Sequence, residues 1–146
     1  MTQIIAIASD HGALDLKAEI IIFLQKNYPD YTVNDLGAHS TDSVDYPDYA
    51  DKVAASINND TATLGILCCG TGIGISIRAN RHKHIRAALV YDQFTAKMAK
   101  AHNNANILCL GGRTTSPDLA NSLIKTWLDT EFEGGRHQRR LDKLDQ

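Results

Sequence analysis

"TLGILCCGTGIGISIRANRH", residues 63–82, runs from a compact apolar segment through three alternating glycines into a stretch with helical spacing. Residues 63–69 have the length and bulk of a buried strand, and residues 74–82 open a helix. Gly70, Gly72 and Gly74 mark a tight turn between them, where the backbone can approach a ligand. A strand that feeds a helix through a glycine loop is the building unit of an α/β sheet, so its repetition on either side decides the fold.

The unit does repeat. Residues 4–8 are apolar and end in "SDHG", and "ALDLKAEIIIFLQKN" follows with apolar residues at helical spacing. "YTVNDLG" reads as a second strand, and "YADKVAASINN" as a helix closed by asparagines. After the central unit, "IRAALVY" reads as a fourth strand, "QFTAKMAKAHNN" as a helix and "NILCLGG" as a fifth strand. "SPDLANSLIKTWLDTEF" opens the last long helix, with Ser116 as its N-cap and Pro117 in its first position. Apolar strands alternating with amphipathic helices predict a doubly wound, Rossmann-like α/β fold. It would hold a five-stranded parallel sheet with helices on both faces. Ligands in such sheets bind beyond the carboxyl ends of the strands, where the strand order reverses. Ser9 to Gly12, Cys69 to Gly74, and Gly111 to Arg113 should therefore converge on one rim.

Residues 1–146 are long enough for one domain with one sizeable core, and 43% hydrophobic content suits a soluble chain. The formal net charge is −2 with both signs interspersed, which argues against nucleic acid or an anionic membrane surface as a partner. The longest strongly apolar stretch, residues 20–24, falls far short of the roughly 20 residues that cross a bilayer. "MTQIIAIASDHG" has no basic start and no apolar core of signal-peptide length, so a cytoplasmic location is expected. Three cysteines, Cys68, Cys69 and Cys109, lack zinc-like or redox spacing and read as reduced thiols. Gly134 and Gly135 break the last helix, and residues 134–146 leave the body as an arginine-rich C-terminal arm. On composition alone that arm is either a solvated terminus or a carrier of arginines to a phosphate.

Gly70 to Gly74 make a plausible anion cradle, although a structural tight turn reads equally well and there is no Walker lysine. Cys68 and Cys69 must face opposite sides of the strand, so one is core. Cys69 abuts the loop, where N–H groups and a helix start would favour thiolate, a nucleophile or a base. Asp10 and His11 could bind hydroxyls, move protons or meet a phosphate, or else cap a helix and face solvent. His102 sits at a helix end beside Asn103, where a C-terminal cation with asparagine caps is an equally ready account.

Taken together, "SDHG", "VDYPDYA", "CCGTGIGISI", "HNNANILCLGGR" and "EGGRHQRR" resemble the type B ribose-5-phosphate isomerases. These belong to a sugar-phosphate isomerase family that also includes galactose-6-phosphate and allose-6-phosphate isomerases. The resemblance covers nearly the whole chain and implies a homodimer, or a dimer of dimers, with active sites shared between subunits. It also implies aldose–ketose isomerisation of a sugar phosphate through a cis-enediolate, with no metal and no cofactor. Matched by motif, Cys69 takes the role of the base and Gly70, Thr71, Gly72 and Gly74 that of the anion hole. Asp10 and His102 are then expected to serve ring opening, and Tyr46 and Asn103 to contact the sugar. His11, Arg113, Arg136 and Arg140 match the phosphate grip, part of which reaches across from the partner subunit. Arg78 and Arg139 depart from the family pattern without displacing a matched residue. A non-catalytic nucleotide- or phosphate-binding module and a cysteine-nucleophile hydrolase are the readings from other classes.

Overall fold

The computed structural model describes residues 3–146. Its strands are β1 (Gln3–Ser9), β2 (Tyr31–Asp35), β3 (Leu64–Cys69), β4 (Ala87–Leu89) and β5 (Ile107–Gly111). They form one all-parallel sheet in the order β2-β1-β3-β5-β4. The helices are α1 (Leu14–Asn27), α2 (Tyr46–Asn58), α3 (Ile73–Ala79), α4 (Gln93–Ala101), α5 (Pro117–Asp129) and α6 (Arg136–Leu144). The expected doubly wound architecture is therefore present. The chain winds outward from β1 to β2 and then crosses back to β3, which puts the order reversal between β1 and β3. A crevice at that point is where such sheets hold ligands.

Side-chain alternation along the strands builds a core on each face of the sheet. Ile5, Ile7, Ile66, Cys68, Leu108 and Leu110 pack on one face with Leu16, Leu123 and Trp127. Ala6, Ala8, Leu67, Cys69, Ile107 and Cys109 line the other with Val53, Ala54 and Ile75. The small alanines of β1 let α2 approach closely, while the isoleucines fill the deeper face under α1 and α5. Trp127 is fully buried, and its indole N–H donates to the Ala105 carbonyl at 3.1 Å. Among the described residues, no helix is long and apolar enough to cross a membrane.

Three details differ from the sequence reading. The fourth strand is confined to residues 87–89, because β4 is an edge strand that pairs with β5 alone. Helix α2 begins at Tyr46, since Pro47 falls in the first turn, where its missing N–H has no helical acceptor to lose. The tail does not simply leave the body. Beyond Gly134 and Gly135, whose φ values are 68° and 55°, residues 136–144 turn back as α6. They bury His137 and Leu141, one helical turn apart, and Arg86 pairs with Asp145 at 3.2 Å.

Candidate active site

The three loops that follow β1, β3 and β5 are tied together through the backbone. Asp10 N–H donates to the Cys68 carbonyl at 3.2 Å, Gly112 N–H to Cys69 at 2.8 Å, and Arg113 N–H to Gly70 at 2.9 Å. The convergence on one rim is thus built by main-chain bonds. Cys69 ends β3 and is 4% exposed, with its Sγ accepting a hydrogen bond from Gly72 N–H at 3.2 Å. That bond requires the loop to curl back, which Gly72 allows with φ 78°. A Cβ there would stand 2.9 Å from the Leu110 carbonyl carbon, so only glycine closes this turn. Thr71 Oγ1 accepts from Ile73 N–H at 3.2 Å and orders the start of α3. The N–H groups in the first turn of α3 have no intrahelical acceptor.

The other rim residues surround this loop. The Tyr46 ring lies directly over Gly74, where an added Cβ would come within 2.5 Å of Cζ. Arg113 runs past Gly70 and Gly12, its Cδ and Nη2 within 3.6 Å and 4.0 Å of where their Cβ atoms would be. The Asp10 carboxylate accepts from Gly12 N–H at 3.0 Å and caps the 3-10 turn His11–Ala13. His11 Nδ1 accepts from Val44 N–H at 3.1 Å, so a neutral ring carries its proton on Nε2. The rim therefore gathers Asp10, His11, Tyr46, Cys69, Gly70, Thr71, Gly72, Gly74 and Arg113. Cys68 and Cys109 are fully buried on separate faces, and desolvation pushes both thiols well above the ordinary range.

His102, Asn103, Arg136 and Arg140 lie elsewhere. His102 caps the carboxyl end of α4 and Asn103 follows it, in the turn that leads into the start of β5. Cys69 stands beside Gly111, the last residue of β5, while Gly65 stands beside Ile107, the first. Four residues of strand separate those levels, about 13 Å at strand rise. Glu133 N–H donates to the Ala101 carbonyl at 2.9 Å and holds the entry to α6, with Arg136 and Arg140, at that same amino-terminal edge. One chain thus carries two half-constellations on opposite edges of its sheet.

A thiol that accepts a main-chain N–H thus lies on one edge, and an imidazole and two guanidiniums lie on the other. The family described as Ribose/Galactose Isomerase matches residues 5–144. The chain belongs to this family. The crystal structure of a ribose 5-phosphate isomerase from Thermotoga maritima superposes with a TM-score of 0.94 at 50% identity, covering 99% of each chain. Ribose-5-phosphate isomerase B from Mycoplasma genitalium, solved with bound ribulose-5-phosphate, gives 0.93 at 44% identity, covering 99% of this chain and 95% of that one. A Rickettsia bellii protein, provisionally assigned as a sugar phosphate isomerase, is 51% identical over 99% of both chains.

As a sugar phosphate isomerase of this family, the chain needs groups for a proton, for a developing oxyanion and for a phosphate. Its two edges carry candidates for all three. The sequence reading missed Glu133 and His137, which flank His102. The His102 and His137 rings stack with centroids 4.1 Å apart and planes 16° from parallel. No spacing rule links positions 102, 133 and 137; the return of the chain, held by the Glu133–Ala101 backbone bond and the docking of α6, brings them together. Arg78, the family departure, is held within its own chain by Asp51 at 2.7 Å, and Asp51 also meets His82 Nε2 at 2.6 Å. The Arg78 guanidinium, through its hydrogen bonds, holds the Asp51 carboxyl below the usual range.

Proposed function

We propose that the isomerase interconverts D-ribose 5-phosphate and D-ribulose 5-phosphate, with Cys69 as the base. The observation that carries this reading is the Cys69 sulfur at the end of β3, hydrogen-bonded to the N–H of the loop that surrounds it. In its thiolate form, Cys69 takes the proton from C2 of the open-chain aldose. The C2–H electron pair forms the C1–C2 double bond, and the aldehyde oxygen takes up the negative charge. Main-chain N–H groups of the Thr71–Gly74 turn, which lies beside the sulfur, are in this reading the donors that stabilise that charge. Return of the proton to C1 and transfer of a hydroxyl proton give the ketose. The proton moves within one substrate, so no electron acceptor enters the balance.

Asp10 and His102 serve ring opening, while Tyr46 and Asn103 contact the sugar hydroxyls. His11, Arg113, Arg136 and Arg140 grip the phosphate, which fixes C1 and C2 beside the sulfur. His102, Asn103, Arg136 and Arg140 cannot reach Cys69 within one chain, so this assignment requires a second copy whose amino-terminal edge covers the rim. Ile73 and Ile77, about half exposed on consecutive turns of α3 beside the loop, are apolar surface that such a copy would bury. The complete site therefore belongs to a homodimer.

Similarity to two ribose 5-phosphate isomerases, one solved with ribulose-5-phosphate, supports the pentose reading. The breadth of the matched family, ribose and galactose, favours a six-carbon aldose phosphate as the second reading. Ketose formation from ribose 5-phosphate, allose 6-phosphate and galactose 6-phosphate, assayed with chelator present, tests both at once. Faster turnover of a six-carbon substrate would replace the first reading by the second. Nucleotide binding without ketose formation would remove both.

A further inference from the structure

Glu133 and His137 have no part in the chemistry above, yet they converge on His102. Glu133 Oε1 lies 3.6 Å from His102 Nε2 and 3.5 Å from His137 Nε2. Both separations exceed an ordinary hydrogen bond. His137 is only 6% exposed, and its Nε2 is buried without a hydrogen-bond partner. An orphaned polar atom in such a place is costly unless something meets it.

The spacing matches the edge of a coordination tetrahedron. Two ligands on a tetrahedral zinc ion, each bonded at about 2.1 Å, stand about 3.4 Å apart. One ligand atom from each of the three residues lies within 4.8 Å of the other two, a spread that one ion spans once the two imidazoles turn their lone pairs toward it. We infer that His102, Glu133 and His137 form a zinc-binding site whose occupation switches the isomerase off. Two imidazoles and one carboxylate are a recognised zinc set, with a fourth position left for water. Magnesium and calcium, which want oxygen ligands, do not fit it.

The backbone of the site is organised before metal arrives. Bonds from Glu133 N–H to Ala101 and from His137 N–H to Gly134 fix two of the ligating residues, whereas the stacked rings must tilt toward each other for their in-plane lone pairs to meet one ion. Arg136 and Arg140 on the same helix repel a dication, which makes binding reversible rather than structural. A bound zinc ion occupies Nε2 of His102 and withdraws that imidazole from proton transfer. The inhibitory half of the inference rests on the role of His102 in the proposed function; the binding half does not.

Cobalt, which colours strongly when tetrahedral, tests the site directly in the full-length, metal-free protein. One equivalent of Co²⁺ per chain should give an intense visible band that Zn²⁺ abolishes. Glu133→Gln and His137→Ala should each weaken zinc affinity by about tenfold or more in calorimetry, in line with losses on altering a metal site. Cys69→Ser should leave the affinity unchanged, which excludes the thiol as a ligand. Glu133 is exposed, so Glu133→Gln keeps the test valid should His137→Ala not fold. Absence of saturable binding, or unchanged affinity in Glu133→Gln, overturns the site. If zinc binds with the expected ligand dependence but ketose formation from ribose 5-phosphate continues unaffected, the inhibitory half falls. If no sugar phosphate is turned over even in chelator, the proposed function fails while the cobalt band still reports on the metal site.

Discussion

Gly72 donates its main-chain N–H to the Cys69 sulfur at 3.2 Å, so the proposed base and the loop proposed to hold the oxyanion share one hydrogen bond. The same short loop would then serve both stages of the proposed reaction, meeting first the sulfur and afterwards the enediolate oxygen. The two demands alternate, because the sulfur is neutral while the oxygen is charged.

Cys69→Ala should therefore act on turnover rather than on binding. We expect kcat to fall by about 10²–10⁴-fold with KM changed little, as for loss of a group that acts in the transition state. Steady-state kinetics with ribose 5-phosphate would show it, and parental kcat in this variant would remove the base assignment.

Gly74 tests the sugar-contacting ring. A methyl group there would stand 2.5 Å from Tyr46 Cζ, and the ring, 38% exposed, is free to swing away. Gly74→Ala should raise KM by about three- to tenfold, the worth of one misplaced polar contact, with the melting temperature nearly unchanged. Unaltered KM would place Tyr46 outside the sugar site.

Opposite placement of the two half-constellations makes a sharper demand. If a site takes Cys69 from one subunit and His102 from the other, a mixed dimer of Cys69→Ala and His102→Ala chains holds one intact site and one doubly defective site. Co-refolding equal amounts of the two inactive variants should restore about a quarter of parental activity, from random pairing in a two-fold dimer. Activity no greater than that of either variant alone would mean that the residues do not combine across an interface.

The fold was legible because its signals are local. Strands of the length of residues 64–69 and helices started by a Ser116 N-cap can be read from a few neighbours, and both stand as expected. Edge effects were not legible: nothing in "IRAALVY" shows that only three of its residues have a partner strand. Helix α6 was hidden by its own composition, since the burial of His137 and Leu141 depends on where the chain returns. The rim residues share short motifs and were found together. The edge on which His102 lies follows from topology, which separates it from Cys69 although both belong to one family pattern. The grouping of Glu133 and His137 around it has no counterpart in the order of residues.

Acid should loosen the docking of α6. Desolvation, with His102 next and Arg136 and Arg140 adding to it, holds His137 below its ordinary value, while Glu133 opposes the shift. In the unfolded chain this histidine titrates near its reference value of about 6.5, so below that pH the unfolded state binds the extra proton first. Its contribution is full above pH about 6.5 and is lost as the pH falls toward the depressed folded value. Melting temperatures measured in chelator from pH 7.5 to 5.5 should therefore drop by a few degrees. His137→Phe, which keeps a buried aromatic ring against His102 but cannot titrate, should flatten that slope. An identical slope in the variant would mean that the pH dependence arises from other groups and that His137 is not held neutral by the fold.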